Sequence, residues 1–489
     1  MARDWRDDRI AELEAIVADR DAALVARDAR IAALEAQVSA LLARVSALEE
    51  RLRQSSQNSS KPPSSDGPAK PSKRQRKKSG RKRGGQPGHA RHERPVVPPE
   101  KVSERIVLKP SHCEKCETRV SGDDPEPVRH QVFELPKVEP IVKEYVRHTR
   151  TCGRCHHVTR APLPEGVPTR IFGSSVTATI ALLMGTYRQS KRQVAEMLLD
   201  LYDLPISVGA VIDCQREASA AIAAPVEEAR VAAQSAPVKH ADETGWREAG
   251  KRAWLWTLVT SSVTVFLIAR GRGEDVARRL LGVVAGVLVT DRHGAYNFWN
   301  APLRQFCWAH LIRDFTAIKE RGGSAGVTGS LLLEEAERMF AWWYRVRDGT
   351  LSRSSFKIYM RSLQARVEAL LTQGAHDSNL KTARTCAKLL KAKASLWTFV
   401  RNEGVEPTNN VAERTVRHGV LCRKLSSGTQ SEHGSRFIER ILTVHATLRQ
   451  QGRRVLPFLT EACEARLRRA APPSLLSHTP KKQNLRLAA

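Results

Sequence analysis

Two apolar runs that each lead into an aspartate constrain the fold of this chain more than any other feature. The first run, residues 238–242, ends in Asp242, and the second, residues 286–291, ends in Asp291. Between them lie two β-rich runs and a helical stretch, at residues 253–260, 263–269 and 274–281. The order strand, strand, strand, helix, strand predicts an α/β sheet whose helix returns the fourth strand parallel to the first.

Parallel neighbours would bring Asp242 and Asp291 to the same edge of the sheet, where ligands of open α/β sheets bind. Adjacent strands lie about 4.8 Å apart, so both carboxylates could reach one metal ion. This spacing suits a two-metal phosphoryl-transfer site, whose ions lie roughly 3.5–4 Å apart. The alternative is that both aspartates are turn or helix-cap residues at strand ends.

Charge and cysteine content narrow the class of partner and the compartment. The chain has 80 Lys and Arg against 52 Asp and Glu, a net charge of +28, which predicts a polyanionic partner such as nucleic acid. Nine cysteines, four of them in C-x2-C pairs, indicate a reducing compartment and a metal site. The sequence shows neither an apolar run that we expect to span a membrane nor the apolar region of a signal peptide. We therefore expect a cytoplasmic, nucleoid-associated protein with no membrane partner.

A heptad pattern runs through residues 5–53. The first seam position holds Ile10, Val17, Leu24, Ile31, Val38, Val45 and Leu52, and the second holds Leu13, Leu34, Leu41 and Leu48. Mostly β-branched residues at one position with leucine at the other favour a parallel two-stranded coiled coil. Arg20 and Arg27 interrupt the second position and would weaken or specify the pairing. A long amphipathic helix folded onto its own core is the alternative. We predict a homo-oligomer assembled through this coiled coil.

Residues 54–95 are predicted to be a basic disordered linker. The segment 54–94 contains twelve basic and two acidic residues, a net charge of +10. The candidate DNA-contacting side chains are Lys73, Arg74, Arg76, Lys77, Lys78, Arg81, Lys82 and Arg83. Such an arm would contribute affinity for phosphates but no sequence choice. A charge run of this kind is otherwise a solvated tail.

Residues 96–168 carry two C-x2-C pairs, which predict a zinc-binding domain. Four thiolates from Cys113, Cys116, Cys152 and Cys155 would form a closed tetrahedral Zn²⁺ site that contributes folding energy directly. The flanking histidines are alternative ligands, namely His112, His156 and His157. Two extended runs between the pairs, 131–135 and 141–148, are predicted to pair as a ribbon.

The rest of the chain is mainly helical. Helices are predicted at 174–187, 191–201 and 208–224, with Ser207 as an N-cap. They fit a helix-turn-helix, and a plain helical packing unit is the alternative. A strand at 304–309 and a helix at 310–320 follow the second aspartate. Helical periodicity at 331–347, 354–371 and 380–400 predicts an insertion within the α/β domain.

The segment 406–417 holds a possible third carboxylate. If Asn410 is a helix N-cap, Glu413 falls at the third helical position, where glutamate commonly completes a capping box. Arg417, four residues on, could also pair with Glu413. A two-metal site with only two aspartates, however, lacks a carboxylate for its second ion. The rival carboxylates are Glu243, Glu406 and Glu439; of these, Glu243 should point to the strand face opposite Asp242.

Together with the heptads and the C-x2-C pairs, several short motifs resemble the transposase of the bacterial insertion sequence sixty-six family. These motifs are NSSKPPSSD at 58–66, RGGQPGH at 83–89, HADET at 240–244, DRHGAY at 291–296, CWAH at 307–310 and NNVAER at 409–414. The resemblance implies a ribonuclease-H-like fold and a DDE triad of Asp242, Asp291 and Glu413. The chain departs from the family in the stretch after His310, residues 311–315 (LIRDF), where a more basic pair is usual.

The resemblance implies a DNA transposase that binds the ends of its insertion sequence. Two Mg²⁺ or Mn²⁺ ions held by the triad would promote cleavage of the phosphodiester, and the freed 3′-hydroxyl would attack target DNA. Candidate contacts to the scissile strand are Arg414, Arg417, Arg423 and Lys424. Expected partners are transposon-end and target DNA and companion proteins encoded by the element. The alternative function is a catalytically inactive, zinc-containing DNA-binding protein of the same fold.

The predicted fold class is therefore multidomain α/β, with a ribonuclease-H-like core and a helical insertion. The predicted order is a coiled coil (1–53), a basic linker (54–95), a zinc-binding domain (96–168), a helical DNA-binding-like domain (169–236), the first part of the core (237–322), the insertion (323–400), the second part of the core (401–450) and a C-terminal helix and tail (451–489).

Overall fold

A computed structural model of the chain describes residues 5–54, 59–61 and 96–476. The α-helices are α1 Trp5–Arg53, α2 Ser174–Ala181, α3 Lys191–Tyr202, α4 Val208–Ala221, α5 Ala223–Ser235, α6 Glu274–Leu281, α7 Trp308–Lys319, α8 Gly323–Arg347, α9 Arg353–Ala375, α10 Leu380–Lys391, α11 Thr398–Arg401, α12 Asn410–Ser426, α13 Glu432–Gln450 and α14 Val455–Leu467. The strands are β1 Thr149–Thr151, β2 Val158–Arg160, β3 Val238–Glu248, β4 Lys251–Val259, β5 Thr264–Ala269, β6 Val287–Thr290 and β7 Arg304–Phe306. The molecule is thus a mixed α/β protein.

A five-stranded mixed sheet with the order β5-β4-β3-β6-β7 forms the centre of the chain. β3, β4 and β5 pair antiparallel, whereas β6 is parallel to both β3 and β7. The predicted parallel pairing of the two aspartate-bearing strands is therefore confirmed. The expectation that the first strand ends at Asp242 is wrong, because β3 continues to Glu248. Antiparallel pairing with β4 holds this extension, from His240 opposite Val259 to Glu248 opposite Lys251.

Alternate residues of the strands enter different cores, as the two-residue period of a β-strand requires. On one side, Ala241, Trp256 and Leu288 pack with α2, α4, α5, α6, α13 and α14. Val289 and Phe306 belong to a second core, shared with the helices α7 to α10. A third core lies beneath α12 and α13 and contains the side chains Trp246, Leu255, Phe266, Cys422 and Leu442. Helices thus pack against the sheet through all three cores.

The helical block before the sheet is part of the first core. Ala178 of α2 and Ala218 of α4 are buried in the same cluster as Ala241 of β3. Ser207 caps α4 as predicted, its side chain accepting a hydrogen bond from the Ala210 N–H at 3.2 Å. The predicted helix 208–224 stops earlier, and α5 then begins with Pro225 in its first turn, where proline is tolerated. These helices therefore pack against the central sheet, and a DNA-binding role for them stays a prediction.

The helix α1 spans 49 residues, roughly 73 Å at 1.5 Å per residue. Its apolar seam residues from Ile10 to Leu48 are exposed in the single chain; Ile10 and Leu34, for example, are 54% and 52% exposed. By length and composition, the stretch Asp8–Glu50 is long and apolar enough to cross a membrane. This differs from the expectation that no apolar run is that long. Acidic and basic residues, including Glu35 and Arg44, nevertheless recur along this stretch.

Residues 96–168 show little regular structure. The only strands in this described range are β1 and β2, which pair antiparallel around the second C-x2-C pair. The predicted ribbon between 131–135 and 141–148 is wrong, because neither run forms a strand. Large apolar side chains there are exposed, including Val128 at 98% and Leu135 at 94%. A strand is stable only if a neighbouring strand accepts and donates the hydrogen bonds of its backbone N–H and C=O groups, and these two runs have no such neighbour.

Candidate active site

The ends of the parallel ladder place Asp242 and Asp291 at one edge of the sheet. The last parallel pair is His240 opposite Val289, and each aspartate lies two residues further along its strand direction. Asp291 leaves β6 directly after Thr290, whereas Asp242 remains within β3 because β4 continues to pair with it at Thr257. The two carboxylates thus extend from neighbouring strands at corresponding positions.

A local turn and a buried arginine fix Asp291. Its Oδ1 accepts a hydrogen bond from the His293 N–H at 2.8 Å, which is the aspartate turn typical of a chain leaving a strand. Arg304, 3% exposed, donates to the Asp291 carbonyl at 2.9 Å and to Thr290 Oγ1 at 3.0 Å. Burial lowers the pKa of Arg304 to about 10, so its guanidinium remains charged at neutral pH.

The helix α12 carries Glu413 and is tied directly to β3. Asn409, 1% exposed, donates from Nδ2 to the Ala241 carbonyl at 2.7 Å, and its Oδ1 lies 3.2 Å from His240 Nδ1. Asn409, rather than Asn410, is the N-cap, and its side chain makes no cap hydrogen bond. The alternative in which Glu413 completes a capping box with Asn410 is therefore wrong, because Asn409 is the N-cap and its side chain contacts β3 beside Asp242.

Glu413 lies near residues of the neighbouring helix α7. Its Oε1 is 3.4 Å from His310 Nδ1 and 3.9 Å from Cys307 Sγ. Its predicted pairing with Arg417 is not among the ion pairs of the described residues. Among the described residues, one group of three potential metal ligands has all its donor atoms within 4.8 Å of one another. This group is Cys307, His310 and Glu413. The carboxylates of Asp242, Asp291 and Glu413 therefore do not all lie within 4.8 Å of one another.

Electrostatics nevertheless link the three carboxylates. Burial raises the pKa of Asp242 well above its ordinary value of 3.8, and the negative charges of Glu243, Asp291 and Glu413 raise it further. The hydrogen bond from the Glu243 N–H, at 3.0 Å, acts in the opposite direction. Like charges gathered around a buried carboxylate destabilise its ionised form unless a cation offsets them.

The rival carboxylate nearest to Asp242 has a structural role. Glu243 Oε1 accepts from the Arg272 guanidinium at 2.8 and 3.0 Å, and Oε2 accepts from the Tyr296 hydroxyl at 2.6 Å. Glu439 is buried in α13, where it accepts a hydrogen bond from the Ile268 N–H and pairs with Arg436 at 3.0 Å. These two carboxylates are therefore engaged within the fold.

An open cleft of about 420 Å³ lies beside Asp291. Its lining residues are Ser60, Asp291, Arg292, His310, Arg313, Asp314 and Lys388. Asp314 pairs with Arg292 at 2.6 Å. Arg292, the residue after Asp291, is therefore neutralised by Asp314. Arg313 and Lys388 are the other basic side chains that line the cleft.

The predicted DNA-contacting residues fall into three groups. Arg414, Arg417 and Lys424 are exposed on α12. Arg423 is half-buried and donates to the Gly245 carbonyl, which ties α12 to β3. The basic residues of the linker, Lys73, Arg74, Arg76, Lys77, Lys78, Arg81, Lys82 and Arg83, lie outside the described residues.

The two C-x2-C pairs have the same local backbone geometry. In the first, the Cys113 N–H donates to the Thr118 carbonyl at 2.8 Å and the Glu117 N–H to the Cys113 carbonyl at 2.9 Å. In the second, the Cys152 N–H donates to the His157 carbonyl at 2.9 Å and the His156 N–H to the Cys152 carbonyl at 3.0 Å. The structure does not bring the four thiols, including Cys116 and Cys155, into one cluster. The zinc site remains a prediction.

Sequence reasoning missed three residues that shape this region. It noted Asn409 only as part of a helix start, and it assigned no role to Arg304 or Cys307. Cys307 is fully buried and accepts a hydrogen bond from the Asn409 N–H at 3.1 Å. The available signal was a charged residue at the start of a strand of the central sheet, as Arg304 is in β7, because buried charges require partners.

Comparison with known proteins gives the family. A family model described as Transposase IS66 family matches residues 169–436, more than half of the 489 residues. A second model, described as a family of unknown function, matches residues 4–95. The chain is 26% identical over 237 residues to an uncharacterized protein, y4qI, of Sinorhizobium fredii, and the match spans 43% of this chain and 43% of that relative. The first match contains the helical block, the whole sheet and α12, and it confirms the resemblance: the chain belongs to the IS66 family of transposases.

Proposed function

We propose that this transposase binds the ends of its insertion sequence and catalyses metal-dependent cleavage and strand transfer with Asp242, Asp291 and Glu413. The observation that carries the proposal is the direct tie of α12 to β3. Through Asn409, the helix bearing Glu413 is hydrogen-bonded at 2.7 Å to Ala241, the residue before Asp242. The parallel pairing of β3 with β6 supports the inclusion of Asp291.

The sheet supports a ribonuclease-H-like core. Three antiparallel strands followed by two parallel strands, in the order β5-β4-β3-β6-β7, offer the carboxyl edge at which such a site would form. The helices α8 to α10 fall between β7 and α12 in the chain, as expected of an insertion. We assign the catalytic core to the sheet together with α12 and α13.

The donor set fits divalent cations of the Mg²⁺ class. Carboxylate oxygens are the ligands that Mg²⁺ and Mn²⁺ prefer. Burial, and next the charges of Glu243, Asp291 and Glu413, raise the pKa of Asp242, so a divalent cation bound there would stabilise its ionised form. Asp242 would be shared by two ions, and Asp291 and Glu413 would each hold one. When bound, the ions would supply Lewis-acid stabilisation of the phosphodiester and lower the pKa of the attacking water. Ligands of two separate ions need not lie within 4.8 Å of one another.

Residues of this chain would orient the substrate. Arg304 and the turn at His293 fix Asp291 before substrate arrives, and Asn409 fixes the start of α12. Arg313 and Lys388 line the cleft beside Asp291 and would contact DNA phosphates as charge-assisted donors. Exposed Arg414, Arg417 and Lys424 would extend this basic surface, and the basic linker would add affinity without sequence choice. The freed 3′-hydroxyl would then attack target DNA in the same cleft.

Zinc would organise residues 96–168. The matched turns at Cys113 and Cys152 support two preformed halves of a four-thiolate site, completed by Cys116 and Cys155. Because the apolar side chains of this range are largely exposed, binding of structural Zn²⁺ would provide folding energy that packing does not. The exposed seam of α1 supports assembly with a second copy. Companion proteins encoded by the element remain a further proposed partner.

The test uses the full chain, labelled transposon-end DNA and Mg²⁺. We expect Asp242→Asn, Asp291→Asn and Glu413→Gln each to reduce cleavage by at least about a hundredfold while DNA binding is retained. The matched control is Glu406→Gln, a carboxylate on the same side of the insertion that the proposal does not use. Cleavage by Glu413→Gln at the wild-type rate would overturn the assignment of the third carboxylate. Loss of cleavage in Glu406→Gln alone would replace Glu413 by its rival.

A further inference from the structure

Three side chains of different chemistry converge where β7 meets α12. Cys307 follows β7 directly, His310 lies in the first turn of α7 and Glu413 lies in the first turn of α12. Glu413 Oε1 is 3.4 Å from His310 Nδ1 and 3.9 Å from Cys307 Sγ, and all three donor atoms lie within 4.8 Å of one another. The thiol, the imidazole and the carboxylate thus lie around one point.

These separations match the edges of a metal tetrahedron. Bonds of about 2.0–2.3 Å to sulfur, nitrogen and oxygen place tetrahedral ligand atoms roughly 3.3–3.6 Å apart. The nitrogen–oxygen pair already has this spacing, and the sulfur–oxygen pair exceeds it by a few tenths of an ångström. A mixed sulfur, nitrogen and oxygen set suits Zn²⁺ and related ions, whereas Mg²⁺ requires oxygen.

Two further observations indicate a ligand at this point. His310 Nδ1 is buried and has no hydrogen-bond partner, although it lies close to Glu413. Such an atom normally has a partner, because leaving it unsatisfied costs about 1–3 kcal/mol. The Cys307 Sγ accepts the Asn409 N–H at 3.1 Å, which holds the sulfur beside Glu413, while burial raises the pKa of this thiol to about 11. The side chains of His310 and Glu413 are 30% and 36% exposed, and His310 lines the open cleft, so an ion has access.

We propose that Cys307, His310 and Glu413 form a site for one Zn²⁺-class ion with an open fourth position. Binding would release the Cys307 thiol proton to solvent and join the thiolate, the imidazole Nδ1 and one Glu413 oxygen to the ion. On the proposed function, Glu413 is also a ligand for Mg²⁺. A Zn²⁺-class ion at this site would therefore withdraw the third carboxylate and inhibit cleavage.

The test measures Co²⁺ binding to the full chain without DNA, since Co²⁺ replaces Zn²⁺ and its thiolate complexes absorb in the near-ultraviolet. The C-x2-C pairs also bind Co²⁺, so the comparison is between variants that all retain them. Cys307→Ala should bind one Co²⁺ equivalent fewer than the wild type. The matched control is Cys422→Ala, which removes another buried cysteine from outside the cluster and should leave the stoichiometry unchanged.

A second variant guards against misfolding of Cys307→Ala. Glu413 is the most exposed of the three side chains, and Glu413→Gln should weaken this Co²⁺ site by about tenfold or more with an unchanged melting temperature. Equal Co²⁺ stoichiometry and affinity in the wild type and in folded Glu413→Gln would overturn the site. Millimolar Mg²⁺ should weaken Co²⁺ binding here. Co²⁺ binding that is insensitive to Mg²⁺ would retain the site but contradict Glu413 as a Mg²⁺ ligand, which separates this inference from the proposed function.

Discussion

Asn409 donates a 2.7 Å hydrogen bond to the Ala241 carbonyl across 168 positions of the chain. It thereby joins the helix that carries Glu413 to the strand that carries Asp242. The bond is fully buried, and the Asn409 Oδ1 also lies 3.2 Å from His240 Nδ1. One side chain thus satisfies two groups next to the candidate active site.

Replacing Asn409 tests how strongly this contact holds the two elements together. Asn409→Ala leaves the Ala241 carbonyl and His240 unsatisfied in a buried place, so we expect the free energy of unfolding to fall by about 1–3 kcal/mol. Urea denaturation of the full chain measures the change. Asn410→Ala is the matched control, because Asn410 is exposed and its loss should change stability little. Equal effects of the two substitutions would contradict a special role for Asn409.

Gly419 sets the distance between α12 and β4. A Cβ there would lie 2.0 Å from Leu255 Cδ2, a fully buried side chain. We expect Gly419→Ala to overpack this contact at a cost of about 1–3 kcal/mol and to lower cleavage by displacing Glu413. Thermal melting and the cleavage assay report the two effects.

The control for Gly419 is another helical glycine with room around it. At Gly434 in α13 the nearest atom to an added Cβ is 3.5 Å away, so Gly434→Ala should leave stability unchanged or increase it by up to about 1 kcal/mol. A melting temperature of Gly419→Ala at or above that of Gly434→Ala would show that α12 does not need the close approach.

Ser60 joins the N-terminal part of the chain to the end of α7. Its backbone N–H and hydroxyl donate to the Glu320 carboxylate at 2.8 and 2.6 Å. In a double-mutant cycle of Ser60→Ala and Glu320→Gln, we expect a coupling of roughly 0.5–1.5 kcal/mol in the free energy of unfolding. The control is a second cycle that combines Ser60→Ala with Glu337→Gln, where Glu337 is an exposed glutamate of α8. In this cycle the two effects on the free energy of unfolding should be additive. Additivity in both cycles would mean that the contact does not stabilise the protein.

Glu439 should make stability depend on pH. Burial raises its pKa from an ordinary value of 4.5 to about 7, despite the opposing charge of Arg436. The folded protein therefore holds a proton between these values that the unfolded chain has released. Stability should fall as pH rises from about 4.5 to 7, by on the order of 3 kcal/mol, and change no further above that range.

Glu439→Gln tests this dependence because glutamine has no proton to lose and can still accept the Ile268 N–H. Its unfolding free energy, measured by denaturation from pH 4.5 to 8, should lack the decrease attributed to Glu439. Glu432→Gln, at an exposed position of the same helix, should retain the wild-type curve. A Glu439→Gln curve parallel to the wild type would assign the pH dependence to other groups.

The sequence by itself determined the succession of strand, strand, strand, helix and strand along the chain, and the parallel pairing of β6 with β3. These follow from local patterns: apolar runs of strand length, the helical period of 274–281, and the requirement that a parallel strand needs a crossover. The position of Glu413 in the first turn of a helix also follows from its neighbours, Pro407 and the asparagine pair. The turns at Cys113 and Cys152 are likewise local, because each is closed by backbone hydrogen bonds between residues four and five positions apart.

Only the tertiary structure decided how these parts meet. The length of β3 depends on pairing with β4 beyond Asp242, and the use of Asn409 depends on a strand 168 positions earlier, so neither is a property of a local segment. The local sequence allows a capping box at Glu413, but this box does not form. The Asn409 side chain donates to the buried Ala241 carbonyl instead. The cluster of Cys307, His310 and Glu413 likewise exists only because α7 and α12 begin at the same edge of the sheet.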